Sequence, residues 1–262
     1  MDLQELDYAV EEGIATITLQ RPEARNAYSD AMIASLERAF DHAERDPEVR
    51  VVVLTGGGSC FSAGGDLALM RDHEGMFAGD PAELRQSYLD GIHKVPQLVA
   101  RLRKPLIAAI NGPAVGAGLD LACMCDIRVA SARAKFGSTF IQLGLIPGDG
   151  GAYFLAKIIG FPRALELVMT GRLIDAIEAD RVGLVHEIVE PSFVLPRAYE
   201  YAKMLAAHPP EALKLARSLV YESWHLNMQQ SLNLAATYQG IAQNRAEHDA
   251  LVAAMIDKTS SK

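Results

Sequence analysis

The chain has 262 residues, half of them apolar and 22% charged, and a formal net charge of -8. That length suits one large domain, or a domain with an appendage. The acidic balance argues against a nucleic-acid surface, which needs a basic face, but leaves room for a local basic pocket for a phosphorylated small molecule.

The N-terminal "MDLQELDYAVEEG" lacks the charged-then-apolar pattern of a secretory signal, and no apolar run is long enough to span a bilayer. Cys60, Cys123 and Cys125 are too few for a disulfide framework. Cys123 and Cys125 form a C-x-C with no His or further Cys close in sequence to complete a zinc site, so both are read as buried thiols. A cytoplasmic protein with neither membrane nor nucleic-acid partner is expected.

Residues 5–19 read as two short strands around the turn "EEG". In "SDAMIASLERAFDHAERD" the apolar Ile33, Leu36 and Phe40 recur at helical spacing behind an N-cap at Ser29 or Asp30. "VRVVVLTGGG" is a continuous β-branched run, the signature of a strand buried on both faces. A second cycle gives a strand at 106–110, a glycine-rich turn, a short helix and a strand at 127–130. After Gly151 the pattern is helical, broken by the short strand "LVHEIVE", and from about Phe193 nearly everything is compatible with helix. The expected plan is an α/β core over 1–192 and a helical part over 193–262.

Two glycine-rich turns follow successive core strands: "GGGSCFSAGGDLALM" and "NGPAVGAGLDLA". Ligands of parallel sheets bind at such turns. Neither turn fits a nucleotide fingerprint, because "GAGLDL" has Leu121 where a third glycine is needed and "TGGGSC" lacks the phosphate-binding lysine. No G-x-S-x-G elbow and no metal-binding histidine spacing occurs. The turns do offer unpaired backbone N–H groups at helix starts, one from each, able to hold a single developing oxyanion.

In these motifs the sequence resembles the crotonase superfamily, the enoyl-CoA hydratase/isomerase family. "RPEARNAYS" resembles its CoA-binding segment, "FSAGGDL" its first oxyanion turn and "INGPAVGAGLDLACMCDIRVAS" its second; "FGSTFIQLGLIPGDGGAYFLAKIIG" and "TGRLIDAIEADRVGLVHEIV" follow in family order. The resemblance implies a crotonase-like ββα spiral core, with a helical C-terminal part that builds a homotrimer or a hexamer as a dimer of trimers. It implies an acyl-CoA thioester as substrate, coenzyme A entering only as part of it, and no other cofactor and no metal. The thioester oxygen would accept from the N–H groups of Gly65 and Ala117. Ala63 and Leu67 would line the pantetheine channel, with Ala27 at the substrate site, Arg25 near the CoA phosphates and Lys258 reaching a neighbouring subunit's CoA. Asp66 reads as the cap that orders the first helical turn beside the substrate.

Family hydratases use two glutamates to hold and activate water. The alignment of motifs puts Asp120 at the first position and Phe140 at the second, so one acid is shortened and the other is absent. Asp149, nine residues after Phe140, is the expected replacement, unless it serves only as an N-cap for the helix "GAYFLAKII". Asp120 reads equally as a buried structural acid. The leading expectation is an enoyl-CoA hydratase in which Asp120 and Asp149 share the acid–base work. A double-bond isomerase, a carbon–carbon bond hydrolase and a non-catalytic CoA-binding homologue stand beside it.

Overall fold

The computed structural model describes residues 1–260. Its main sheet contains β1 (Leu6–Glu11), β2 (Ile14–Leu19), β3 (Val51–Gly56), β4 (Leu106–Ile110), β6 (Ile127–Ser131) and β9 (Glu187–Val189) in the order β1-β2-β3-β4-β6-β9. Only the β1–β2 hairpin is antiparallel; every later pairing is parallel. A small sheet joins β5 (Ala114–Val115), β7 (Lys135–Gly137) and β8 (Ile174–Asp175).

Alternation within β3 explains why its run is apolar throughout. Val52 and Leu54 join the main core, with Ile33, Leu36 and Phe40 of the helix Asp30–Arg45 and Val95 and Val99 of the helix Lys94–Arg101. Val51 and Val53 point to the opposite face, where Val194, Ala198 and Ala202 of the helix Val194–Ala206 cover them. A strand covered on both faces leaves no position for a polar side chain. Ser29 is the cap of the first helix, its hydroxyl accepting from Met32 N–H at 3.0 Å. The helices Pro210–Ser223, Met228–Gln243 and Ala246–Ser260 bury no residue within the single chain.

What positions the site is the meeting of two crossover turns. Val115 N–H donates to Ser62 O at 3.0 Å, and Ser62 N–H to Pro113 O at 3.2 Å. Gly64 has φ +85°, and a Cβ on it would lie 2.6 Å from Val115 O; one on Gly118 would lie 2.1 Å from Ser62 O. Glycine at these two positions therefore lets two backbones touch.

The segment before the first helix is fastened to the same turns by Asn26, which is fully buried. Its amide donates to Gly57 O at 2.9 Å, Cys60 O at 2.8 Å and Phe61 O at 3.2 Å, and its Oδ1 accepts from Arg21 N–H at 3.0 Å. Replacing it with Ala orphans several buried groups at once, so Asn26→Ala should lower the unfolding free energy by about 3 kcal/mol in urea titrations. A loss below about 0.5 kcal/mol, the range of ordinary surface substitutions, would contradict this role.

Candidate active site

Two concavities flank the paired turns. One is a groove lined by Arg25, Ser59, Cys60, Ala63, Pro113 and Val115. The other, a narrow cavity of about 20 Å³, is walled by Gly65 and Ala117, by Tyr28, Tyr88, Phe140 and Asp149, and by apolar side chains that include Met70 and Phe77. Between them run residues 63–65 and 115–117, so a chain lying in the groove passes the oxyanion turns to reach the cavity. Neither Gly65 N–H nor Ala117 N–H donates to a backbone or side-chain acceptor among the described residues. Ala117 opens the helix Ala117–Met124, where the first N–H groups have no partner in the helix and the dipole favours negative charge.

The two acids have different environments. Asp149 is 7% exposed and lies on the cavity wall. Burial pushes its carboxyl up to about 6, with the neighbouring His93 pulling the other way. It does not cap the following helix: Gly150, at φ +101°, takes that position with no side-chain cap. Asp120 is not part of the cavity wall; it is buried, and neither oxygen has a hydrogen-bond partner among the described residues. Its carboxyl lies against the Gly151 backbone, so close that a Cβ on Gly151 would fall 2.0 Å from Oδ1. The Gly151 N–H favours the charge weakly from a geometry too poor to count as a hydrogen bond. Burial first, and then the charge of Asp149, raise the Asp120 carboxyl well above the usual carboxylate range, which favours its neutral form.

The remaining expected residues fall in distinct places. Ala63 and Arg25 share the groove, where Arg25 is exposed in the left-handed region at φ 53°. Ala27 is buried and lines neither concavity. Leu67 is exposed at the start of the helix Leu67–Asp72. Asp66 caps that helix, accepting from Ala68 and Leu69, and pairs with Arg21 at 2.7 Å. Burial would raise its carboxyl, but the Arg21 hydrogen bond and the two backbone donors hold it below its ordinary value. Phe140 lines the cavity. Lys258 is exposed in the last helix.

Several wall residues carry no signal in the sequence, Tyr28, Met70 and Tyr88 among them. Tyr28 sits inside "RNAYS", beside motif residues that drew the attention. Met70 is placed by the helix Leu67–Asp72 and Tyr88 by the helix Pro81–Asp90, both in the segment that covers the cavity. The Met70 methyl packs against Gly65, 2.3 Å from where a Cβ would stand, so this flexible thioether covers the Gly65 corner of the cavity.

The raised Asp120 carboxyl gives a signed expectation. Its folded pKa lies above its unfolded value, so the folded chain holds a proton that the unfolded chain releases, and the stability linked to it falls as pH rises past about 4. Asp120→Asn removes that loss. The unfolding free energy of the variant minus that of wild type should therefore be larger at pH 7 than at pH 4; a difference independent of pH would contradict a raised Asp120.

Residues 9–259 match the family model described as enoyl-CoA hydratase/isomerase. The short-chain-enoyl-CoA hydratase of Clostridium acetobutylicum is 33% identical over 259 residues, spanning 98% of this chain and 97% of that protein. The 1,2-epoxyphenylacetyl-CoA isomerase of Escherichia coli is 34% identical over 251 residues, 96% and 95% of the two chains. Among solved structures, an enoyl-CoA hydratase from Polaromonas sp. JS666 superposes with a TM-score of 0.90 at 32% identity over 97% of each chain. With the fold, the paired turns and these likenesses in agreement, the chain belongs to the enoyl-CoA hydratase/isomerase family, the crotonase superfamily.

Proposed function

We propose that the protein is an enoyl-CoA double-bond isomerase, with Asp149 as the one group that moves the proton. The observation that carries this reading is that Asp149 is the sole carboxylate on the cavity wall. Both Asp120 oxygens are closed off from the cavity, and Phe140 cannot transfer a proton. Hydration, the leading expectation from the sequence, rested on two acids sharing the work; the cavity supplies one. An allylic shift needs no second.

The thioester carbonyl of a 3-enoyl-CoA accepts from Gly65 and Ala117 N–H, each worth about 3 kcal/mol as negative charge gathers on that oxygen. The Asp149 carboxylate takes a proton from carbon 2, and the electron pair passes into a dienolate held by the two N–H groups. The same carboxyl returns the proton at carbon 4, which leaves the double bond between carbons 2 and 3. Water has no part in the balance, and no cofactor is used beyond the coenzyme A of the substrate. With its pKa raised to about 6, Asp149 is a stronger base than an ordinary carboxylate yet still mostly ionised at neutral pH. The apolar wall, with Met76, Ile92 and Leu145 beside Met70, Phe77 and Phe140, suits an unsubstituted acyl chain. Met70 swings aside to admit it. The groove around Arg25 takes the coenzyme.

A homotrimer, alone or doubled to a hexamer, belongs to the same proposal. Its support is the apolar surface that one chain leaves open: Phe161 and Met169 on the helix Phe161–Thr170, Ile177 on the helix Ala176–Arg181, and Met228, Leu232 and Met255 on the terminal helices.

The test follows the absorbance of the conjugated thioester. With a 3-enoyl-CoA the absorbance should rise, and the rate should fall as pH drops through about 6, because protonation removes the base. Asp149→Asn should slow the reaction on the order of 10³-fold. A protein that leaves 3-enoyl-CoA unchanged and removes the absorbance of crotonyl-CoA instead would be a hydratase, contrary to the proposal.

A further inference from the structure

Tyr28 is the buried polar side chain that the mechanism above leaves without a task. It is 2% exposed, and it lines the cavity together with Gly65, Ala117 and Asp149. Its hydroxyl makes no hydrogen bond among the described residues, and it is not one of the fully enclosed polar atoms, so it opens on the cavity. Such a hydroxyl loses its contact with water when an acyl chain fills the cavity, and a protein acceptor then offsets that cost. Its backbone is fixed to the oxyanion turn: Tyr28 N–H donates to Gly64 O at 2.7 Å, and Tyr28 pairs with Gly65 as an isolated parallel bridge. The Asn26 amide fastens the same segment two residues earlier. The phenol is therefore held in register with the N–H group that would receive the substrate carbonyl.

Asp149 presents the complementary lack. No hydrogen bond to its carboxylate is made among the described residues, so nothing fixes which oxygen faces the substrate. The groups around the two form a small set. His93 stands at the start of the helix Lys94–Arg101, with its Nε2 2.8 Å from Gly148 O, and Tyr88 comes from the helix Pro81–Asp90. Asp120 and Cys125 approach Tyr28 from the helix Ala117–Met124 and its cap. Burial, then Asp149, Asp120 and Cys125 in turn, raise the Tyr28 phenol well above its ordinary range, so it remains a neutral donor throughout the working pH.

We propose that Tyr28 is a positioning residue for Asp149: with the acyl group bound, its hydroxyl donates to the Asp149 carboxylate and fixes the oxygen that exchanges the proton. This rests on Asp149 being the base. The donor stabilises the ionised form of Asp149, so removing it raises the pKa at which Asp149 loses its charge in the complex. Tyr88 faces Asp149 too, but it is only partly buried and comes from a separate helix, not from the strand-like segment bound to Gly64.

The experiment measures kcat against pH for wild type, Tyr28→Phe and Asp149→Asn with a 3-enoyl-CoA, since the kcat profile reports ionisations within the substrate complex. Phe keeps the ring and its packing. Tyr28→Phe should lower kcat roughly tenfold, leave KM within about twofold and move the acidic limb to higher pH by about half a unit or more. An unmoved limb in Tyr28→Phe beside an inactive Asp149→Asn overturns the role of Tyr28 and leaves the base in place. Full activity in Asp149→Asn overturns the base itself and this inference with it. Because Tyr28→Phe could fail to fold, wild type supplies a second reading. Binding of a saturated acyl-CoA should shift the ¹³Cζ resonance of Tyr28 in wild type and much less in Asp149→Asn; equal shifts in the two proteins overturn the proposal.

Discussion

Everything in the site depends on two polypeptide backbones being allowed to touch. Gly64 and Gly118 have no room for a Cβ because Val115 O and Ser62 O occupy that space. Their contact fixes the turn after β3 against the turn after β4, and two N–H groups from separate crossovers then border one cavity. Larger residues at either position would wedge the turns apart, and the two N–H groups would no longer border one cavity. The parallel sheet supplies the rigidity. β3 and β4 are buried on both faces, so the turns at their ends inherit a fixed origin.

Around this frame, burial assigns different tasks to similar side chains. Asp120 and Asp149 are both carboxyls beneath the surface, yet one is closed behind the Gly151 backbone and the other opens on the cavity. Desolvation acts on both. It favours the neutral form of Asp120 and makes Asp149, raised to about 6, a stronger base that is still ionised near neutrality. Asp66, equally near the turns, goes the other way because Arg21 and two helix N–H groups stabilise its charge. Three acids near one pair of turns thus differ in protonation through burial for two and through partners for the third.

Much of the fold is legible in the sequence because long elements leave strong periodic patterns. The helix Asp30–Arg45 shows its apolar stripe and its Ser29 cap, and the β-branched run of β3 shows a strand with no wet face. β5, β7 and β8 are two or three residues long, too short for any period, and exist because the turns they flank already lie together. Within the site, the glycine turns and Asp149 could be singled out from composition and family likeness. The orientation of Asp149 could not, since that follows from Gly150 taking the left-handed cap position. The sequestration of Asp120 is equally invisible, being a contact with a backbone thirty-one residues away in the chain. Met70 and Tyr88 enter from a covering segment whose course depends on tertiary packing.

The central claim is that one carboxyl both removes and returns the proton. A 3-enoyl-CoA carrying deuterium at carbon 2, converted in ordinary water and analysed for label at carbon 4 of the product, tests it most directly. A single shuttling Asp149 in a cavity sheltered from solvent predicts that a substantial share of the deuterium reappears at carbon 4. Product with no deuterium at carbon 4, or product that has gained the mass of water, would contradict it.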